Sequence, residues 1–268
     1  VWGPIGGIYL PPYRTTAHLP LKARIYYSMR RVYQAVILRI PSSRPRKMLA
    51  ACQTVLVAHS DNLKLLKRNR EDLVLLAENG ILNYRESRTR MDGNKIRLLF
   101  VGSLDERKGI LTLLKVLKRL DSSKFELHIA GEGPLSSEIA QFISKNKLEE
   151  IVKCYGRISR DEVIKLMANM DLNILLSINE GNPNTLWEAM SVGLPTMSLN
   201  HCGMKDTICS KCGILIPLMA ESEVIEKVVE ILVSITKDDI KALDEGLVEC
   251  RDRFLHDKRK EIYNEIYG

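Results

Sequence analysis

Two glutamates with seven residues between them, Glu180 and Glu188, flank a segment whose residue types suit an anionic ligand. Asn182 followed by Pro183 predicts a helix start, with Asn182 as the cap and Pro183 at the first helical position. The next backbone N–H groups lack acceptors within the helix, and with the helix dipole they form an anion site suited to a diphosphate. The amides concerned are those of Asn184, Thr185 and Leu186.

The two carboxylates themselves indicate contacts to hydroxyl groups. Glu188 lies less than two turns inside the predicted helix, where it can accept two hydrogen bonds from a vicinal diol such as a ribose. Glu180, on the loop before the helix, can hold sugar hydroxyls or balance a developing positive charge. Two solvated carboxylates are the alternative interpretation of this pair taken alone.

Buried strands alternate with helices from residue 95 onward. Short apolar runs predict strands at residues 96–101, 125–130, 151–155, 172–177, 195–199 and 214–216. Helices are predicted at residues 108–120, 136–147, 160–170 and 183–192. This alternation is typical of βαβ units, so we predict an α/β fold with a doubly wound parallel sheet. Ligands of such sheets bind beyond the carboxyl ends of the strands.

The first third of the chain is less regular and predicts a second, partial α/β domain. Strands are predicted at residues 54–58 and 73–77, and residues 22–40 are consistent with one amphipathic helix. The hydrophilic stretch 84–94 is the natural linker, and after Ile216 the chain is predicted to be helical at 222–235, 239–254 and 256–267. We therefore divide the chain into residues 1–91, residues 92–254 and a terminal helix, 255–268, predicted to return to the first domain.

Composition narrows the class of protein. The 268 residues are 45% hydrophobic and 27% charged, which excludes a disordered chain, and no apolar run approaches the ~18 residues of a spanning helix. Six cysteines are too few for a disulfide scaffold and predict reduced thiols in the cytoplasm. The first sixty residues hold nine basic side chains and no acidic one, which favours a nearby anionic surface or substrate. Because the chain begins at Val1, within what reads as the middle of a structure, we expect a fragment that lacks its N-terminal portion.

Several segments, in order, resemble the retaining GT-B glycosyltransferases of family 4, the glycosyl transferases group 1. The segment EGNPNTLWEAMSVGLP, from Glu180 onward, resembles their donor-site signature, in which two glutamates are separated by seven residues. FVGSLDERKG, HIAGEGPL and YGRISRD resemble the family's phosphate-binding loop, Gly-Pro turn and base-binding loop. CGMKD, starting at Cys202, stands where Gly-Gly-x-x-Glu is usual. The resemblance implies two Rossmann-like domains with parallel sheets, the C-terminal one complete and the N-terminal one partial.

The resemblance also implies a role for each matching residue. Lys108 would contact the donor diphosphate, Glu188 the ribose, and Glu180, as the catalytic residue, the transferred sugar. The backbone around Ile158 would hold the nucleobase. The donor-binding set is Ser103, Arg107, Lys108, Arg157, Ile158, Gly181, Asn182, Asn184, Thr185, Leu186 and Glu188.

The implied reaction is sugar transfer with retention from a nucleotide-diphosphate sugar, UDP- or GDP-linked, to a saccharide or lipid-linked acceptor. It needs no metal and no cofactor, and it would serve polysaccharide or glycolipid synthesis in the cytoplasm or at the inner face of the membrane; no nucleic acid is implied. Ser103 stands where the family usually has an arginine, for which Arg107 is a candidate substitute. A nucleotide-sugar epimerase of the same fold and a degenerate, non-catalytic binding module are the alternatives.

Other motifs favour structural interpretations. Cys209 and Cys212 form a C-x-x-C near His201 and Cys202, but two adjacent residues cannot easily ligate one ion, so free thiols are preferred to zinc. The Gly-Glu-Gly at 131–133 lacks the third glycine of a dinucleotide fingerprint, and no P-loop is present. His128 is predicted to be a satisfied core histidine and Trp187 a packing residue.

The helix predicted at residues 22–40 has two interpretations. Its apolar face, which carries Ile25, Met29, Val32, Val36 and Ile40, could lie on a membrane surface with the arginines around it. We favour packing of this face against the core, with a solvated basic rim.

Overall fold

The computed structural model describes residues 1–81 and 93–267, which form two units, each built on a parallel sheet. The first unit, residues 1–81, has three strands in the order β1 (Trp2–Ile5), β2 (Val55–Val57) and β3 (Leu73–Leu75). Its helices are α1 (Tyr13–Thr16), α2 (Leu21–Ile37), α3 (Arg44–Ala51) and α4 (Ser60–Leu66). The predicted strands at 54–58 and 73–77 are the paired neighbours β2 and β3.

The second unit, residues 93–254, contains the six strands predicted from residue 96 onward. They are β4 (Ile96–Val101), β5 (Phe125–Ala130), β6 (Val152–Gly156), β7 (Leu172–Leu175), β8 (Thr196–Leu199) and β9 (Gly213–Ile216). All pairs are parallel, in the order β6-β5-β4-β7-β8-β9. The strand order therefore reverses between β4 and β7, and a crevice opens beyond their carboxyl ends.

Helices cover both faces of this sheet. They are α5 (Ile110–Leu117), α6 (Ser136–Lys145), α7 (Arg160–Ala168), α8 (Asn184–Ser191), α9 (Cys202–Thr207), α10 (Glu221–Ser234) and α11 (Lys237–Arg251). A further helix, α12 (His256–Tyr267), follows them in sequence. Short 3₁₀ turns lie at Glu106–Lys108 and Asp252–Phe254. Strand residues such as Leu98, Leu127 and Ile174 are fully buried between the helices, which explains why the strands read as continuous apolar runs. The predicted α/β fold with parallel sheets is confirmed.

The apolar face of α2 is not packed against the core, so that interpretation of residues 22–40 was wrong. Met29 and Val32 are 67% and 66% exposed, and Ile25, Val36 and Ile40 are exposed as well. The helix packs instead through Tyr27, its buried residue, which shares a hydrogen bond with the side chain of Asn179 in the second unit. Nowhere in residues 1–81 and 93–267 is a helix both long and apolar enough to cross a bilayer.

The two units meet through polar contacts between α4 and α9. Asp61 accepts a hydrogen bond from the backbone N–H of Cys202 at 2.8 Å and pairs with Lys205. In the opposite direction, Asp206 of α9 accepts a hydrogen bond from the hydroxyl of Ser60 in α4 at 2.6 Å. The chain before α12 also reaches the first unit, since Ile81 bridges Leu255. The path of α12 itself stays a prediction, and the predicted linker, residues 84–94, lies mostly outside the described residues.

Candidate functional site

A cavity of about 310 Å³ opens at the carboxyl ends of β4 and β5, next to the point where the strand order reverses. Ser103, Arg157 and Ile158, three predicted donor-site residues, line it together. The glycines after the two strands give this end of the sheet its shape: Gly102 has φ +154°, and a Cβ at Gly131 would lie 1.8 Å from the Gly102 carbonyl oxygen. The loops of β4 and β5 are therefore in direct backbone contact at the cavity wall.

Lys108 lies beside this cavity because of a tight turn after β4. The Asp105 carboxylate accepts hydrogen bonds from the backbone N–H groups of Arg107 and Lys108, at 3.0 and 3.2 Å. Gly109, with φ +74°, then separates this 3₁₀ turn from α5, which is why the helix predicted to begin at residue 108 begins at Ile110. The side chain of Lys108 passes close to Gly102, since its Cδ and Cε atoms would lie 3.8 Å from a Cβ at that position.

Glu180 is the carboxylate partner of both basic residues of that turn. It forms an ion pair with Lys108 and lies 3.4 Å from Nη1 of Arg107. The Glu180 and Lys108 side chains are only 12% and 17% exposed, so the pair is partly withdrawn from water. The Arg107 guanidinium also contacts Asp105 at 3.2 Å. The structure thus brings Arg107, Lys108 and Glu180 together, from loops that follow β4 and β7.

Glu188 lies one turn inside α8 and is paired with Arg160, whose Nε is 2.8 Å from Oε1. Burial raises the pKa of Glu188, and the Arg160 guanidinium offsets only part of that rise. Arg160 opens α7 two residues after Ile158, at the cavity wall. Glu188 is therefore tied to the element that carries the predicted base-binding loop.

The start of α8 differs from the prediction by one residue. Pro183 is the N-cap residue in extended conformation, and Asn182 precedes it with its amide donating to the Ala58 carbonyl at 3.1 Å. The predicted cap by Asn182 was therefore wrong, because its side chain is used between the units instead. The Leu186 N–H donates to the Pro183 carbonyl at 3.0 Å. In the described part of the chain this leaves the amides of Asn184 and Thr185 as the candidate anion donors.

The loop before α8 lies against the first unit. A Cβ at Gly181 would come within 3.5 Å of the Gly6 carbonyl oxygen, so little space separates the two segments. Gly181 also accepts a hydrogen bond from the N–H of Gly203 at 2.8 Å. On the other side, Asn184 accepts from the Asn79 amide at 2.7 Å. The candidate site therefore lies in the crevice between the two units, where binding sites commonly occur.

Several residues of this crevice were not predicted from the sequence. Glu132 lines the cavity and accepts from the backbone N–H of Arg157 at 3.3 Å. Its signal was the Gly-Glu-Gly segment, which was considered as a dinucleotide fingerprint and as part of the family's Gly-Pro turn, without a role for Glu132. Arg160 and Asn79 carried no signal, because they reach Glu188 and Asn184 from distant parts of the chain.

Two structural interpretations are confirmed. His128 is 5% exposed and contacts the Tyr155 hydroxyl and Glu126 at 2.7 and 3.0 Å. Trp187 packs edge-on against Phe254, with ring centroids 5.3 Å apart. Neither residue lines the cavity.

Proteins of similar sequence include glycosyltransferases named for bacterial polysaccharide synthesis. The amylovoran biosynthesis glycosyltransferase AmsK of Erwinia amylovora is 33% identical over 122 residues, 42% of this chain and 30% of AmsK. The putative colanic acid biosynthesis glycosyltransferase WcaL of Escherichia coli K12 is 26% identical over 178 residues, 63% of this chain and 43% of WcaL. The matched region thus spans less than half the length of these curated relatives.

Solved structures share the architecture. Anabaena HepE, crystallised in complex with UDP and glucose, superposes with a TM-score of 0.64 at 16% sequence identity, over 91% of this chain and 75% of HepE. At that identity the likeness concerns the fold, which is of GT-B type. The sequence of residues 85–241, more than half of the chain, matches the family described as Glycosyl transferases group 1. Together with the crevice between two parallel-sheet units, this match shows that the chain belongs to the glycosyl transferases group 1 family.

Proposed function

We propose that the protein transfers a sugar, with retention of configuration, from a nucleotide-diphosphate sugar to a saccharide or lipid-linked acceptor, as a family 4 enzyme. The observation that carries the proposal is the pairing of Lys108 with Glu180 beside the cavity lined by Ser103, Arg157 and Ile158. A cation for the diphosphate, a carboxylate for the sugar and a pocket for the base follow one another along a single crevice.

The division of roles follows from this order. The cavity at Arg157 and Ile158 takes the base, and Glu188 accepts hydrogen bonds from the ribose. Lys108 and the first amides of α8 meet the diphosphate, and Gly181 and Asn182 keep the loop before α8 in place. When the diphosphate binds Lys108, the Glu180 carboxylate gains sugar hydroxyls as alternative partners. Arg107, which contacts the same carboxylate, serves in place of the arginine that Ser103 replaces.

Charge stabilisation by these groups makes a metal unnecessary in the proposed reaction. As the bond from the sugar to the diphosphate breaks, negative charge grows on the departing phosphate and positive charge on the sugar ring. Lys108 and the α8 dipole stabilise the first, and Glu180 the second. The acceptor attacks from the face that the diphosphate leaves, which retains the configuration.

The similar proteins support a UDP-sugar as the proposed donor and polysaccharide synthesis as the proposed process. HepE binds UDP and glucose in its crystal structure, so we propose a UDP-sugar as the donor, with a GDP-sugar as the next candidate. AmsK and WcaL are named for polysaccharide synthesis, and we propose the same general purpose here.

We also propose that α2 rests on an anionic membrane surface, at the inner face where lipid-linked acceptors would be met. Its exposed apolar residues run along one face, and the exposed Lys22 and Arg39 lie at its two ends. The first sixty residues hold basic side chains and no acidic one, which is complementary in charge to an anionic bilayer.

Calorimetric titration of the full chain with UDP, GDP and ADP tests the donor site. We expect one nucleotide, UDP, to bind, and Glu188→Gln to weaken that binding about tenfold, since one hydrogen-bonded charge contributes ~1.5 kcal/mol or more. Glu226→Gln is the matched control, because Glu226 also pairs with an arginine, Arg119, on an exposed surface outside the crevice. No binding of any nucleotide to a folded sample would contradict the proposal and favour a degenerate module.

Product analysis with a labelled UDP-sugar tests the reaction. Transfer to an added acceptor, or release of free sugar, is the expected result. Recovery of the nucleotide sugar with an inverted hydroxyl would indicate an epimerase instead.

A further inference from the structure

Three cysteine thiols that are far apart in sequence lie together in the second unit. Cys209 and Cys212 lie on the turn between α9 and β9, and Cys250 comes from the last turn of α11. The Sγ atom of Cys209 is 3.5 Å from that of Cys212 and 3.3 Å from that of Cys250. All three Sγ atoms lie within 4.8 Å of one another. Cys250 carried no signal in the sequence, so the zinc interpretation considered there combined Cys209 and Cys212 with His201 and Cys202 instead.

The spacing fits three corners of a metal–thiolate tetrahedron. With metal–sulfur bonds of ~2.3 Å, two sulfurs on a tetrahedral zinc lie about 3.8 Å apart, so each observed pair needs to move only a few tenths of an ångström. A disulfide requires ~2.05 Å, which is well short of either measured separation. All three are free cysteines in the structure.

Backbone N–H groups contact two of the three sulfurs. The backbone N–H of Cys209 donates to Sγ of Cys212 at 3.3 Å. Sγ of Cys209 in turn accepts hydrogen bonds from the backbone of Lys211 and Cys212. Amide-to-sulfur bonds of this kind orient a thiolate and support it as a ligand.

Two of the three thiols are buried, and the third is partly accessible to solvent. Cys212 and Cys250 are 3% and 5% exposed, and they pack with Ile81, Leu247 and the far face of α8. Cys209 is half-buried and leaves a path from solvent. Among the residues that the structure describes, no fourth histidine, cysteine or carboxylate joins the group, so the fourth corner would be filled by water or another small ligand.

We propose that Cys209, Cys212 and Cys250 bind one zinc ion, or a similar thiophilic d¹⁰ cation, with the release of the thiol protons. The site is separate from the proposed transfer site, which uses no metal. It joins the α9–β9 turn to the end of α11, directly before the segment through which Leu255 bridges Ile81 of the first unit. The ion would thus fasten the connection between the two units.

Metal titration of the full chain tests the site. Co²⁺ added to the reduced, metal-free protein is expected to bind at one equivalent, with thiolate charge-transfer absorption in the near ultraviolet and the visible bands of a tetrahedral ion. Zn²⁺ is then expected to abolish both signals by displacement and to raise the Tm by several degrees. Cys250→Ser and Cys209→Ser are expected to lower the affinity at least tenfold each.

Cys154→Ser is the matched control, because Cys154 is an exposed thiol on β6, and it is expected to leave the titration unchanged. Cys209→Ser alters the most accessible of the three thiols, so it remains informative if circular dichroism shows that Cys250→Ser fails to fold. Failure of the parent to bind Co²⁺, cobalt bands without thiolate charge transfer, or an unchanged cobalt affinity in Cys209→Ser would overturn the proposal. So would a native protein of which the mass and thiol count reveal a disulfide among the three.

Discussion

Lys108 is fixed in position by the protein itself before any ligand arrives. Asp105 orders its backbone, and Glu180 holds its ammonium group. We expect Lys108→Ala to lower UDP affinity by tenfold to a hundredfold, because a hydrogen bond to a charged group is worth about 1.5–3 kcal/mol. Uridine, which lacks the phosphates, should bind the variant as it binds the parent. Calorimetry with both ligands makes the comparison.

A matched control for Lys108 is Lys115→Ala. Lys115 also pairs with a carboxylate, Glu221, at 2.8 Å, but on α5 and away from the cavity walls. Its removal should leave UDP binding unchanged. Equal losses of UDP and uridine affinity in Lys108→Ala would show that the lysine shapes the site without meeting the phosphates.

Glu188 carries an opposing requirement for stability and for binding. Its pKa is raised by burial, so the charged form is less favourable in the folded protein than in the unfolded chain. The stability linked to this group is complete below the ordinary pKa of 4.5 and is lost as pH rises through the folded-state pKa. Glu188→Gln should therefore raise the Tm at neutral pH while it weakens nucleotide binding.

The pH dependence of the Tm difference between Glu188→Gln and the parent shows whether the buried charge causes it. The Tm gain of Glu188→Gln should shrink as the pH falls and vanish below about pH 4.5 in thermal melts. A gain that is constant with pH would come from packing, and a loss at neutral pH would show that the ion pair with Arg160 outweighs burial.

At the residue scale, the sequence could identify functional side chains that belong to a contiguous sequence motif. Glu180 and Glu188 were predicted from the loop and helix signals around them, and Lys108 from the resemblance of its loop to the family's phosphate-binding loop. The partners Arg160, Asn79 and Cys250 could not be predicted, since only the folded chain brings them into contact. Nor could the sequence show that Asn182 is used by Ala58 of the other unit and not by its own helix.

At the scale of elements, the central strands could be predicted closely. The boundaries of β4 and β5 match the prediction, because each is a short, mostly apolar segment that ends at a glycine. The helices α3, α4 and α9 were not predicted, since six to eight residues are too few for a clear period of 3.6. The packing of α2 was predicted wrongly for a different reason. Its helical period is clear in the sequence, but periodicity does not show whether the apolar face packs against the core or stays exposed.

The proposed membrane contact of α2 can be tested with one charge. Val32→Glu should reduce binding to vesicles of anionic phospholipid several-fold, because it puts an acidic side chain in place of an apolar one on the face that is proposed to enter the lipid. Val233→Glu on α10 is the control, since Val233 is 68% exposed and Val32 66%. Co-sedimentation measures both. Equal binding by the two variants, or no preference for anionic over zwitterionic vesicles, would refute the contact.

At the scale of the whole molecule, the polar contacts between α4 and α9 help to hold the two units against each other. The loop before α8 also lies against Gly6, and Tyr27 of α2 contacts Asn179, so the donor side and the first unit meet at several points. The sequence could predict the two sheets and the linker between them. It could not predict this interface, whose charged residues look like solvated ones in the chain.

Asp61 accepts two hydrogen bonds across that interface, from Cys202 and from Lys205. Burial raises its pKa, but the hydrogen bonds from Lys205 and from the N–H of Cys202 lower it further than burial raises it. A carboxyl with a lowered folded-state pKa contributes stability above its unfolded value, here 3.8, and loses that contribution as pH falls through the folded-state pKa. The docking of the units should therefore weaken in acid.

Asp61→Asn should lower the free energy of unfolding at neutral pH by about 1.5–3 kcal/mol, since it removes a charged acceptor from two donors. The deficit relative to the parent should begin to shrink as the pH falls below 3.8 and should close only below the lowered folded-state pKa, where the parent carboxyl is protonated in the folded protein too. Calorimetric scans measure this and also show whether the single transition of the parent splits in two as the units separate. Asp72→Asn is the control, because Asp72 pairs with Arg70 inside the first unit. If both variants melt alike at every pH, the units are held together by their apolar contacts, and the crevice does not depend on Asp61.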